Sequence, residues 1–172
     1  MSTARPPLEE IPAFYRGYVA EAPGADVCDA LVRAAEAVQA AFGAVPETRG
    51  DLRYAPGKWT VKEVLLHLID AERVFAYRAL RFARRDATPL PGFDEDAWVP
   101  AARAARRTLA ELLAEHRAVH AATLALFRSF EEEDLLQRGT ANGNVISVRA
   151  LGWATAGHAL HHVTVLRERY LG

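Results

Sequence analysis

One cysteine, Cys28, is all that 172 residues offer, so no intramolecular disulfide can staple the chain. It stands among Val27, Ala30 and Leu31, where a small apolar core residue is the simpler role than a nucleophile. An excess of one charge sign is also missing. Twenty-one basic side chains face 22 acidic ones for a net charge of −1, which excludes a general electrostatic hold on nucleic acid or on an anionic membrane. The basic clusters at Arg81–Arg85 and Arg103–Arg107 read as solvated faces at helix ends. No stretch approaches the roughly 20 apolar residues of a membrane span. The opening Met1-Ser2-Thr3-Ala4-Arg5-Pro6-Pro7 lacks the apolar core of a signal peptide, so a cytoplasmic protein is expected. Strand-like alternation of any length is absent as well, and what fills the chain is helical periodicity.

Residues 1–24 hold Pro6, Pro7, Pro12 and Pro23 and no sustained period. They read as an arm whose Ile11, Phe14, Tyr15 and Tyr18 dock on the body. The rest, residues 25–172, is expected to be a single domain. From Asp26, a plausible N-cap, apolar residues recur at Val27, Leu31, Ala34, Val38 and Phe42 until Gly43 stops the helix. Thr60 and Glu63 form a capping box that fixes the start of a second helix, and its stripe carries His67 and Arg78. Residues 86–97, with two prolines and a glycine, are long for a bundle connection and suggest a loop covering a site. A third helix is predicted from about Trp98 to Phe127. Gly139 to Asn144 reads as a loop, and Ser147 can cap the last helix. Four long amphipathic helices predict an all-α four-helix bundle.

Half of the six histidines lie in Gly157-His158-Ala159-Leu160-His161-His162. On a helix His158 and His162 stack on one face with Cβ atoms roughly 6 Å apart, within reach of one metal ion. His67, on the inward stripe of the second helix, is the natural third ligand. His116 and His120 have the same spacing, however, and spacing alone leaves both pairs open; His161 could replace a neighbour on a rotated helix. Glu63 is placed to orient His67 but is already explained by its cap. Asp70, three residues after His67, is open between a pocket role and a solvated one.

Gly57-Lys58-Trp59-Thr60-Val61-Lys62-Glu63-Val64-Leu65-Leu66-His67-Leu68-Ile69-Asp70, then Pro91-Gly92-Phe93-Asp94, then His158-Ala159-Leu160-His161-His162, resemble the DinB-like superfamily of damage-inducible and thiol-transferase-like proteins, over roughly residues 25–170. The resemblance implies an up-down-down-up bundle and a divalent metal, nickel or zinc, on His67, His158 and His162. It leaves His116 and His120 as departures that line the pocket or pack, sets Trp59 at the pocket's border, and suggests a homodimer. It also implies S-transfer from a low-molecular-weight thiol such as bacillithiol or mycothiol to a small electrophile. The alternative is a stress-response bundle that holds metal without turnover. With a reference histidine pKa of about 6.5, proton competition is expected to strip the metal between about pH 6 and 5.

Overall fold

The computed structural model describes residues 4–172. In chain order the helices are α1 (Arg16–Glu21), α2 (Val27–Gly43), α3 (Val61–Ala83), α4 (Glu95–Ala102), α5 (Leu109–Arg128), α6 (Glu132–Leu135) and α7 (Val148–Val165), with strands β1 (Arg138–Ala141) and β2 (Asn144–Ser147) before α7. The long helices α2, α3, α5 and α7 form the bundle, with α5 and α7 each packed on both α2 and α3. Among the described residues no helix is long and apolar enough to cross a membrane.

Three helix starts follow from side chains that take up free backbone N–H groups. Asp26 accepts from Asp29, Thr60 and Glu63 bond reciprocally, and Ser147 accepts from Ala150. The expected third helix is shorter at its start. Pro100 sits inside the separate α4, Arg103 takes a left-handed conformation at φ 56°, and a second capping box, Thr108 with Glu111, begins α5. The expected loop at Gly139–Asn144 is instead the tip of an antiparallel hairpin. Asn142 and Gly143 both have positive φ, 49° and 72°, as a tight two-residue hairpin turn requires.

The core divides along the bundle axis. One apolar cluster joins the first half of α2, the last turns of α3 and the start of α7, around Leu31, Phe82, Leu151 and Trp153. The other joins the end of α2, the first turns of α3 and α5 and the end of the chain, around Phe42, Leu65, Leu112 and Leu166. Between them lie polar side chains, including His158, Glu72, His116, Thr123 and Thr155, all buried. The last helix was expected to bury one stripe. It is enclosed nearly all round from Ala150 to His158, because α1 covers the side that α2 and α3 leave open.

The N-terminal segment closes over this helix. Glu10 is buried and binds Ser147, at 2.7 Å, and Arg149, at 2.6 Å. Ile11 is buried and Tyr15 and Tyr18 are half-buried, whereas Phe14, expected to dock, is 74% exposed. It stacks edge-on against both tyrosines from outside. Gly157 is what lets α1 come so close: a Cβ there would run into the carbonyl of Tyr18. Gly157→Ala is therefore expected to displace α1 and lower stability by about 1–3 kcal/mol, seen as a lower urea midpoint and as new protease sensitivity before residue 24. An unchanged midpoint would show that the arm contributes nothing to the closed state.

Candidate metal centre

His67 sits on α3 two turns after the capping box, and His158 and His162 sit one turn apart on α7 where that helix crosses α3. Their Nε2 atoms meet. His158 Nε2 lies 3.0 Å from that of His67 and 3.1 Å from that of His162, and one ligand atom from each ring falls within 4.8 Å of the others. Tetrahedral ligands at about 2.0–2.1 Å from a common ion would lie roughly 3.3 Å apart, so the rings fit one divalent cation with little adjustment. Hydrogen bonding alone serves them poorly. Three neutral rings pointing the same nitrogen at one place cannot all donate and accept there, and His162 Nδ1 is buried without a hydrogen-bond partner among the described residues. Among the described residues no other histidine, cysteine or carboxylate joins these three rings, and a cavity opens beside them.

Burial keeps the rings neutral, the form a metal requires. It pushes His67 down to about 4, against a small opposing pull from Asp96. His162 falls to about 3 through burial and then the neighbouring rings of His67 and His161. His158, the most enclosed, lies well below its ordinary value for the same reasons. Protonation of these rings, expected between pH 6 and 5 from the reference value, is thus displaced to about pH 4 and below.

The remaining candidates separate. Trp59 borders the site, its ring centroid 4.8 Å from that of His67, and its Nε1 donates to Asp96 at 2.9 Å. Glu63 does not orient His67: its oxygens are taken by the Thr60 amide and by Arg53, which leaves the cap as its role. Asp70 pairs with Arg73 at 3.3 Å, and burial raises its carboxyl. His161 packs at a tilt against Tyr18, with centroids 5.3 Å apart, and stays outside the cluster of three.

His116 and His120 belong to another place. They point from α5 into the junction of α2 and α3, where His116 Nδ1 meets Gln39 Nε2 at 3.0 Å and His120 Nδ1 meets Glu72 at 3.1 Å. Their rings lie parallel with centroids 6.2 Å apart, and they pack rather than line the cavity beside His67. The double variant His116→Ala/His120→Ala is expected to bind zinc within about threefold of the parent in a competition titration with a chelating dye. A loss as large as that from His158→Ala would move the site to α5.

Beside the three rings opens a cavity of about 370 Å³. Phe75 and Phe93 line it from α3 and from the connection before α4, Tyr15 and Tyr18 from the arm, and Asn142 and Asn144 from the hairpin. The expected covering loop is thus present in part, and its end is α4. Its Leu90 is held by backbone hydrogen bonds to the hairpin, at Thr140 and Asn142. Burial raises the phenols of Tyr15 and Tyr18, so both are protonated donors at neutral pH.

A family model described as the DinB superfamily matches residues 30–166. The chain belongs to the DinB superfamily. No curated protein sequence matches it. Among solved structures the chain is similar to YfiT from Bacillus subtilis, with a TM-score of 0.71 and 20% identity over 96% of this chain and 93% of that one. YfiT is described as a probable metal-dependent hydrolase with an unusual four-helix bundle topology. At that identity the likeness shows a shared fold. In this DinB-superfamily chain, sequence reasoning docked Tyr18 on the body but missed its place at the cavity, and it passed over Asp96 and the cavity role of Arg78. An arginine on an otherwise apolar stripe was the one readable signal among them.

Proposed function

We propose that this DinB-superfamily protein is a metal-dependent enzyme acting on a small molecule, with His67, His158 and His162 holding one divalent ion, nickel or zinc. The observation that carries the reading is the convergence of three neutral imidazole nitrogens at the wall of an open cavity. When bound, such an ion lowers the pKa of a coordinated thiol or water and so provides a nucleophile at neutral pH. Trp59 and Phe75 pack against His67 and His158 and line the same cavity, giving it apolar walls beside the histidines. Tyr15 and Tyr18 offer protonated hydroxyls, able to donate to an oxygen that gains charge. Glu95, the one carboxylate lining the cavity among the described residues, is placed to accept a proton at its rim.

S-transfer from a low-molecular-weight thiol to an electrophile is the finer form of this reading, supported by the family resemblance of the Trp59–Asp70 and His158–His162 segments. With it go the up-down-down-up helix order, a homodimeric state and a cytoplasmic location. Hydrolysis is the second form, favoured by the description of YfiT. Zinc- or nickel-loaded protein should be offered a model electrophile with and without thiol, and activated esters without it. Thiol-dependent consumption lost in His158→Ala supports S-transfer, and ester turnover lost in the same variant supports hydrolysis. Metal binding with neither activity would favour a bundle that holds metal without turnover.

A further inference from the structure

We propose that Arg78 makes the far end of the cavity a receptor for an oxyanion, a carboxylate or a phosphate, carried by the same ligand whose other end reaches the three histidines. The inference deepens the reading of the metal centre and rests on it for the identity of that other end.

Arg78 is only 3% exposed, yet it lines the cavity. Buried guanidinium groups are ordinarily matched by a carboxylate, because desolvating the charge is costly. Here none is within ion-pair distance among the described residues. Its Nη2 donates to the Pro91 carbonyl at 2.9 Å. The guanidinium also donates to the Tyr15 phenol, and its charge and this hydrogen bond counter part of the burial effect on that hydroxyl. The Phe93 ring lies 5.8 Å below the guanidinium carbon. A carbonyl, a phenol and an aromatic face steady the group without neutralising it, and its other N–H donors remain for a planar, bidentate oxyanion.

The helix supplies the alignment. His67, Ala71, Phe75 and Arg78 all line the cavity at spacings of four, four and three, so they form one stripe of α3. Eleven residues separate the ends, about 16 Å along the axis at 1.5 Å per residue. A ligand touching both is therefore extended, with an apolar or neutral middle lying over Ala71 and Phe75. The small Ala71 leaves room for that middle, and the two asparagines of the hairpin border it.

The test uses the full-length protein and defined probes: a homologous series of ω-mercaptocarboxylates, their neutral primary amides, and ω-mercaptoalkyl phosphates. Affinities are measured by calorimetry on zinc-loaded and chelator-treated protein. At the best chain length, the acid or the phosphate should bind about ten- to a hundredfold tighter than the amide, as expected for a charge-assisted hydrogen-bonded pair. Whichever anion binds tighter identifies the group. Arg78→Met should reduce the preference to less than about twofold. Arg78→Gln, which keeps an N–H for the Pro91 carbonyl, should do the same if the methionine variant fails to fold. A merely structural clamp would weaken acid and amide alike, leaving their ratio intact. A ratio near one in the parent, or a ratio that survives either substitution, overturns the proposal. Zinc uptake without charge preference would sink this inference alone, whereas charge preference without zinc uptake would sink the metal reading alone.

Discussion

Replacing His158 with alanine is expected to abolish the stabilisation that zinc or nickel confers on the protein. This ring stands between the other two, its Nε2 within 3.1 Å of both, so its loss leaves two donors that no longer share a third. Disturbing only the partners of metal ligands costs about 10–100-fold in affinity, and removal of the central ligand should exceed that. At metal concentrations a hundredfold above the parent's Kd, linkage provides about 2.7 kcal/mol, or roughly 5–10 °C in melting temperature for a chain of this size. The variant should show a shift near zero under the same conditions. An undiminished shift would mean that the ion sits elsewhere.

A second large effect is expected in acid, with metal removed. An unfolded histidine takes up its proton near pH 6.5. In the folded chain burial holds His67 at about 4, His162 at about 3 and His158 lower still. Above pH 6.5 both states are neutral and the rings have no pH-dependent effect. As pH falls below 6.5 the unfolded state binds protons that the native rings refuse, and each ring costs about 1.4 kcal/mol per pH unit until it titrates in the fold. Three rings together approach about 4 kcal/mol per unit, a large share of the 5–15 kcal/mol typical of a domain. Urea unfolding in the presence of a chelator should therefore show stability dropping steeply between pH 6.5 and 4.5. The variant His67→Ala/His158→Ala/His162→Ala should show a much shallower slope, with buried His116 still contributing to it. Equal slopes in the two proteins would contradict the burial of neutral rings. Metal loss seen above about pH 5 should accordingly follow unfolding, because direct protonation of the native site begins lower.

Local signals in the sequence carried much of this architecture, because capping chemistry is local. Thr60 with Glu63 and Ser147 before α7 are legible from three or four residues each. Thr108 with Glu111 is the same signal, masked because Trp98 and Leu109 can be drawn on one continuous stripe across Pro100. The hairpin was hidden by length: four-residue strands are too short to show alternation, although Asn142-Gly143 is the turn they need. The two histidine pairs show where local reasoning stops. His116/His120 and His158/His162 are indistinguishable in spacing, and what separates them is the partner helix. The second pair crosses α3 at His67, while the first meets Gln39 on α2 and Glu72 on α3. Arg78 could be placed on an inward stripe from sequence, but the lack of a carboxylate beside it is a tertiary fact.

One ion held by three imidazoles is tested most directly by X-ray absorption at the metal edge of zinc-loaded, tag-free protein. The expected result is one zinc per chain with three imidazole nitrogens at about 2.0–2.1 Å and a remaining oxygen ligand. In His158→Ala the imidazole scattering should fall or the zinc should be absent. A shell of oxygen alone, or three imidazoles that persist unchanged in His158→Ala, would contradict it.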